Sequence, residues 1–355
     1  MLSLVPGLVR AVPAPDDPAT LVAALPTLVY LLLGQSNAAG LALTSMLGAG
    51  DRARIAAVSN RVEVEQLHSE PSRAERDGLL HRLADPALPG EAGSDPRAAP
   101  SNYTLEMEVN GCRFCTFGPE LFFGLHMAET LPDRRIKVFK IAYGGADISM
   151  MKDIMYPRFL PALHRMVASL GADAVQIGGV FMVQGESDAG VYHPDFVTAT
   201  ETYASAARYG QELTALIRTI REDLAAFGQS QTPFAAVPLR MVTTAKQPHN
   251  VDVVNEQMAE VSAALPRVTI LEPSQSRAFD RYMDGHVVCV SPRLRTCLGE
   301  LGDCWEANGV MISNATCSGI IGTQGANGQA QNMHFTALGQ TQLGRSFAEV
   351  FLQEL

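Results

Sequence analysis

The sequence is poor in aromatic residues and has no run of basic ones. Aromatic side chains make up 6% of its 355 residues and charged ones 18%, and 37 acidic residues outnumber 27 basic ones. A surface that binds a phosphate backbone or anionic lipid needs clustered Lys and Arg, which this chain does not have. We therefore expect no nucleic-acid partner.

No apolar run is long enough to cross a membrane. The most apolar stretch, residues 21–33, is interrupted by Pro26 and is shorter than the roughly 20 residues of a membrane-spanning helix. We interpret it as a buried strand and expect no membrane span. Residues 1–14 form at most a weak export signal, because they lack a basic start and Arg10 interrupts their apolar part. We treat 1–24 as an N-terminal extension and 25–355 as one domain.

The six cysteines are even in number, and four of them lie in one Gly-rich stretch. This clustering permits local disulfides in an exported protein. Cys112 and Cys115 form an isolated C-x-x-C, so a metal site is less favoured. We therefore expect an extracytoplasmic or secreted protein, with a cytoplasmic location as the alternative. The bridges that would close short loops are Cys289 with Cys297 and Cys304 with Cys317.

Five apolar runs alternate with helical patterns. The runs are rich in branched side chains, which is typical of strands buried on both faces of a parallel sheet. We predict an α/β fold of three layers, α/β/α, around a mainly parallel sheet of about five strands. The predicted strands cover residues 27–33, 136–143, 174–183, 234–239 and 267–271, and the predicted helices cover 119–130, 157–170, 198–227, 251–265 and 336–355.

Two segments break this alternation. Residues 41–117 are charged and punctuated by Pro and Gly, and residues 274–331 contain the clustered cysteines. We interpret both as large insertions that form surface loops with short strands, such as one over 103–109.

A polar motif follows the first predicted strand directly. Gly34, Gln35, Ser36 and Asn37 stand at the carboxyl end of that strand, where open α/β sheets bind their ligands. Ser36 is therefore a candidate nucleophile. The alternative is that Ser36 or Asn37 only caps the next helix, which is a common position for both residue types.

Three further signals lie at strand ends or just before the last helix. Gly144 and Gly145 follow the second strand and can present a backbone N–H close to a ligand. Residues 184–188, QGESD, supply an amide and carboxylates after the third strand, and His334 precedes the last helix. A nucleophile, a general base and neutral donors for an oxyanion are the groups that acyl transfer requires.

The motifs GQSN, YGG, QGESD and HFTALGQ, in this order, resemble those of the sialate O-acetylesterase-like carbohydrate esterases of the SGNH-hydrolase superfamily. The resemblance implies a flavodoxin-like sheet, with Ser36 as nucleophile and His334 as base. It assigns the oxyanion donors to the Ser36 N–H, the N–H of Gly144 or Gly145, and the Gln184 side chain. It implies a serine esterase that removes acetyl groups from a carbohydrate or another small ester, with no metal or organic cofactor.

One position departs from the family pattern. The family usually has Asp three residues before the catalytic His, and this sequence has Gln331 there. A neutral amide can hold an imidazole ring but cannot balance the charge that develops on it. We expect Glu186 to supply the missing carboxylate, with Asp188 and Asp147 as alternatives. The departure also leaves open a catalytically impaired glycan-binding protein, and the scaffold allows a lipid or small-ester hydrolase.

Overall fold

A seven-stranded sheet forms the centre of the protein. The computed structural model describes residues 27–40, 42–43, 47–67, 101–104, 116–171, 174–190, 199–239, 250–271, 289–290, 319–320, 335 and 337–355. Its strands are β1 (Thr27–Gly34), β2 (Ala42–Leu43), β3 (Val62–Leu67), β4 (Ser101–Thr104), β5 (Thr116–Phe117), β6 (Arg135–Ala142), β7 (Val175–Val183), β8 (Phe234–Ala236), β9 (Val268–Ile270), β10 (Cys289–Val290) and β11 (Gly319–Ile320).

The strand order of the central sheet is β4-β3-β6-β1-β7-β8-β9. Its strands pair in parallel, except that β4 is antiparallel to β3. The five strands predicted from apolar runs are β1, β6, β7, β8 and β9. Numbered 1 to 5 by their order in the sequence, they lie side by side in the sheet as 2-1-3-4-5. This is the flavodoxin-like order, so the predicted fold class is confirmed.

Helices cover both faces of the sheet, as the three-layer prediction requires. The helices are α1 (Ser36–Ala39), α2 (Ala49–Val58), α3 (Pro119–Thr130), α4 (Tyr156–Leu170), α5 (Ala199–Ala225), α6 (Val251–Ala264) and α7 (Ala337–Glu354), with shorter helical segments at Ser59–Arg61, Ile148–Met150 and Met151–Met155. One face packs against α4, α5 and α6, and the other against α2, α3 and α7. Successive residues of β1 point to opposite faces, so that Val29 and Leu31 join the first core while Leu28 and Tyr30 join the second.

The sheet has two more strands than the five predicted, and both come from the 41–117 insertion. Strand β3 lies beside β6 and is VEVEQL in sequence, with acidic residues that favoured a surface loop. Those acidic residues are paired across the strands: Lys137 Nζ of β6 lies 3.0 Å from Glu63 Oε1 and 2.8 Å from Glu65 Oε2. The glutamates of β3 therefore form a cross-strand ion-pair network with Lys137 of β6.

Several sequence-based predictions fall outside the described residues. These include the N-terminal extension and most of the predicted strand 103–109. The structure describes β4 at Ser101–Thr104, which overlaps that prediction at residues 103 and 104. Of the 274–331 insertion it describes β10 and β11, which pair antiparallel. The cysteine side chains are not among the described ones, so the two bridges and the domain bounds stay predictions. None of the helices that the structure describes is long and apolar enough to cross a membrane.

A buried ion pair anchors the short helix α1 to the second core. Lys140 Nζ on β6 lies 2.7 Å from Glu120 Oε1 on α3, and both side chains are 1% exposed. The same ammonium donates to the carbonyl oxygen of Ala39 at 2.6 Å, and Glu120 Oε1 also accepts from the N–H of Gly118. Since an unpaired charge is costly in a dry interior, each partner depends on the other.

We expect Lys140→Met to lower the free energy of unfolding by about 3–5 kcal/mol, because it leaves Glu120 charged and buried alone. The double variant with Glu120→Gln should be less unstable than the two single losses added together. Urea denaturation of the two single variants and the double variant measures these free energies of unfolding. Arg54→Met, which breaks an exposed pair with Glu129, is the control and should cost about 1 kcal/mol or less. Additive losses would contradict the coupling.

Candidate active site

The carboxyl ends of β1, β6 and β7 bring the three strand-end motifs together. We call the segments that follow these strands the β1 turn (34–37), the β6 turn (143–146) and the β7 turn (184–188). The N–H of Gln35 donates to the carbonyl oxygen of Val183 at 3.1 Å, which joins the β1 turn to the end of β7. The N–H of Tyr143 donates to the carbonyl oxygen of Gly34 at 3.1 Å, which joins the β6 turn to the β1 turn. The sheet order therefore places the first motif beside two others that lie more than 100 residues further along the sequence.

Gly34 allows the close contact between the first and third motifs. A Cβ at this position would lie 2.1 Å from the carbonyl oxygen of Val183 and 2.6 Å from the Cβ of Ala38. No side chain fits that space without moving backbone, so this turn requires glycine.

Ser36 is the first residue of α1 and is fully buried. The N-cap of this helix is Gln35, which makes no side-chain capping bond, so neither Ser36 nor Asn37 is the cap that the alternative hypothesis required. A second serine, Ser187, lies in the β7 turn, and its buried Oγ has no partner among the described residues.

Gly144 and Gly145 form a tight turn after β6. The N–H of Ala146 donates to the carbonyl oxygen of Tyr143 at 3.2 Å, and Gly145 has φ 74° at the third position of the turn. That dihedral is the one a type II turn requires at this position and favours glycine. The pair of glycines therefore lies beside the β1 turn, as predicted, and brings backbone N–H groups to the same edge.

Gln184 has its amide donors occupied within the protein. Its Nε2 donates to the carbonyl oxygen of Ala146 at 3.1 Å and to Asp188 Oδ2 at 2.5 Å, while its Oε1 has no partner in the described part of the chain. In this arrangement the side chain holds the β6 and β7 turns together. Its role as an oxyanion donor stays a prediction.

Glu186 lies in the same turn, is buried, and faces the residue after Ser36. Its Oε1 accepts from Asn37 Nδ2 at 2.5 Å, and its Oε2 has no partner among the described residues. Burial raises the pKa of the Glu186 carboxyl, and the hydrogen bond from Asn37 partly opposes this. A carboxylate with one oxygen held and the other unpaired can accept one further donor.

The two alternative carboxylates are engaged elsewhere. Asp188 Oδ1 accepts from the Ser205 hydroxyl of α5 at 2.9 Å, and its Oδ2 accepts from the N–H of Ile148 at 3.1 Å as well as from Gln184. Asp147 Oδ1 accepts from the N–H of Met150 at 2.7 Å and caps the helical turn Ile148–Met150. Both brace the loop after β6, whereas Glu186 Oε2 has no partner among the described residues.

Asp188 should make stability depend on pH. Burial, with a further contribution from Asp147, raises the pKa of Asp188 from its ordinary 3.8 to about 7. The folded protein then keeps a proton that the unfolded chain has already released, so the free energy of unfolding should fall as the pH rises from about 4 to about 7. Urea denaturation across this range should show a flatter dependence for Asp188→Asn than for the unchanged protein. Parallel pH dependences would contradict this assignment.

His334 and Gln331 lie outside the described residues, but the next residue after His334 is described. The N–H of Phe335 donates to Asn37 Oδ1 at 3.0 Å, and Gln340 Nε2 on α7 donates to the carbonyl oxygen of Asn37 at 3.0 Å. The chain that carries the predicted base is therefore attached to the residue that follows the predicted nucleophile.

Three residues of this site had no catalytic or positioning role predicted from the sequence. Gln35 Oε1 accepts from the N–H groups of Gly185 and Ser187 at 3.3 Å each, which ties the β1 and β7 turns together. Asn37 and Gln340 make the contacts given above. Each of the three lies within a recognised motif, GQSN or HFTALGQ, so membership of a motif was the signal that could have found them.

A family model described as carbohydrate esterase, sialic acid-specific acetylesterase matches residues 26–281. A solved protein from Arabidopsis thaliana is 17% identical over 92% of this chain and 98% of its own, with a TM-score of 0.49. NanS is 14% identical over 93% and 98%, with a TM-score of 0.48. A carbohydrate acetylesterase from Xanthomonas citri is 18% identical over 68% of this chain and 48% of its own, with a TM-score of 0.40. No curated protein matches.

Proposed function

Because the chain belongs to the carbohydrate esterases described as sialic acid-specific acetylesterases, and is thus a carboxylic ester hydrolase, we propose that it removes acetyl groups from a carbohydrate through an acyl-enzyme on Ser36. The observation that carries this proposal is the double attachment of Asn37, to Glu186 on one side and to Phe335 on the other. Through it, the turn that carries Ser36, the turn that carries Glu186 and the residue that follows His334 in the sequence lie at one edge of the sheet.

In the first half of the reaction the Ser36 Oγ attacks the acetyl carbonyl carbon and gives its proton to His334. The C–O bond to the sugar then breaks, and the departing sugar oxygen takes the proton from the imidazolium. The N–H groups of Ser36 and of Gly144 or Gly145 stabilise the negative charge on the carbonyl oxygen. In the second half His334 takes a proton from water, and the hydroxyl attacks the carbonyl carbon of the acetyl-serine. The bond from that carbon to the Ser36 Oγ then breaks, the Oγ takes the proton back from the imidazolium, and acetic acid leaves and ionises.

Glu186 compensates the positive charge that develops on His334 in both halves. It replaces the Asp that the family usually has three residues before the histidine, where this chain has Gln331. A carboxylate next to an imidazolium orients the ring and stabilises its charge without taking its proton. The support for Glu186 is its unpaired Oε2, together with the engagement of Asp147 and Asp188 in other contacts.

A panel of esters tests the reaction class. We expect hydrolysis of 4-nitrophenyl acetate, slower hydrolysis of longer acyl chains, and release of acetate from at least one acetylated polysaccharide. A preference for long chains would favour a lipid hydrolase, and release from small esters alone would favour a small-ester hydrolase. No hydrolysis of any ester, with retained binding of an acetylated glycan, would favour a catalytically impaired binding protein.

A further inference from the structure

Three hydrogen-bonding groups of Asn37 are engaged by different parts of the fold. Its Nδ2 donates to Glu186 Oε1 in the β7 turn at 2.5 Å. Its Oδ1 accepts from the N–H of Phe335, and its carbonyl oxygen accepts from Gln340 Nε2 of α7, both at 3.0 Å. The residue is 1% exposed, so these contacts replace water that it would otherwise bind.

We propose that Asn37 is a positioning residue of the hydrolytic reaction, which holds Glu186 and the chain carrying His334 at a set distance from Ser36. The proposal rests on the proposed function, because it assigns no contact between Asn37 and the substrate. It adds a role for a residue that sits beside the nucleophile and could otherwise be a purely structural amide.

The two atoms of the amide have separate effects. The donor at Nδ2 holds one oxygen of Glu186, so that the other oxygen, Oε2, is the one left to accept from His334. The acceptor at Oδ1 holds the N–H of Phe335 and so sets where the preceding residue enters the site. Because the Asn37 side chain is held at both Nδ2 and Oδ1, it preserves the alignment of the groups that acyl transfer needs. Misplacement of a catalytic group by about 1 Å can lower the rate roughly a hundredfold.

Asn37→Asp separates these two effects. The new side chain has the same shape and still offers an oxygen to the N–H of Phe335, but it places a second carboxyl against Glu186 Oε1. Two carboxyl groups in contact resist joint ionisation, so Glu186 should ionise at higher pH. Among the described residues, the other titratable groups that interact with Glu186 or its turn are Tyr209 of α5, Asp188 and Asp147, and the substitution leaves all three in place.

The test measures the rate at which a fluorophosphonate probe labels Ser36, across pH, together with the melting temperature. For Asn37→Asp we expect a rate at neutral pH lower by roughly a hundredfold, and an acidic limb of the pH profile moved upward by about one pH unit. Asn37→Ala, which loses both contacts, should be labelled slowly at every pH. Asn37→Asp keeps the shape and one contact, so it serves as the readout if Asn37→Ala does not fold.

The matched control is Asn255→Asp. Asn255 also bridges backbone, since its Oδ1 accepts from the N–H of Leu239 at 2.7 Å and its Nδ2 donates to the carbonyl oxygen of the same residue. It contacts neither Glu186 nor Phe335 in the described hydrogen bonds, so its variant should melt earlier with an unchanged pH profile.

Three outcomes would overturn the proposal. Asn37→Asp labelled at the original rate with an unmoved acidic limb would leave Asn37 with a structural role only. Equal changes in Asn37→Asp and Asn255→Asp would have the same meaning. Failure of the unchanged protein to be labelled at Ser36 would instead overturn the proposed function, and the positioning role with it, before any Asn37 variant is compared.

Discussion

Ser36→Ala should reduce ester hydrolysis by roughly ten-thousandfold to a millionfold, because no other group in the proposed mechanism can form the acyl-enzyme. The melting temperature should change little, since the substitution removes one oxygen from a buried turn whose backbone bonds remain. Hydrolysis of 4-nitrophenyl acetate measures the loss. Mass spectrometry after treatment with a fluorophosphonate should find the label on Ser36.

The matched control for this result is Ser187→Ala. Ser187 lies in the adjoining β7 turn, and its buried Oγ is unpaired among the described residues, so it is a competing hydroxyl at the same edge of the sheet. We expect this variant to keep its activity and its label. If the label is found on Ser187, or if Ser36→Ala remains fully active, the assignment of the nucleophile is wrong.

Glu186→Gln should lower turnover by up to roughly ten-thousandfold, by analogy with the removal of the acid from a Ser-His-Asp triad. The amide keeps an acceptor oxygen but cannot balance the charge on the imidazolium of His334. The melting temperature should fall little, because the variant places a neutral group where burial already disfavours the charged one. Turnover of 4-nitrophenyl acetate and thermal melting should therefore separate the effect of the substitution on catalysis from its effect on stability.

The pH profile of turnover in the unchanged protein is a second test of the catalytic role of Glu186. Burial raises its pKa above the ordinary value of 4.5, and the reaction needs the ionised form. Turnover should therefore fall on acidification at a pH above the usual range of a glutamate. His334 must also be neutral to act as base, so Glu186→Gln should keep an acidic limb from the imidazole and lose the contribution of Glu186.

Two comparison variants show whether Glu186 is the acid. Asp188→Asn should affect stability more than turnover, because Asp188 braces Ile148 and Ser205. Gln331→Asp should give no large gain if a carboxylate already serves His334. A selective loss of turnover in Asp188→Asn, or a large gain in Gln331→Asp, would show that Glu186 is not the working acid.

Strands and helices that bury a continuous apolar face were predictable from the sequence. The run that forms β1 is apolar throughout and stops at Gly34, and the predicted helix 119–130 coincides with α3. Strand β3 was missed because its glutamates indicate solvent exposure until Lys137 is placed opposite them. A charged strand can be identified only when its partner strand is known.

The sequence by itself determined the α/β class, the five central strands and the place of Ser36 after the first of them, because these follow from local apolar runs and turn residues. Only the tertiary structure decided which polar groups meet. Asn37 bonds to Glu186 across 149 residues and to Phe335 across 298, and the contacts of Asp147 and Asp188 with the loop after β6 distinguish them from Glu186. Such pairings arise from the order of strands in the sheet, which brings distant strand ends to one edge and which no local pattern of residues encodes.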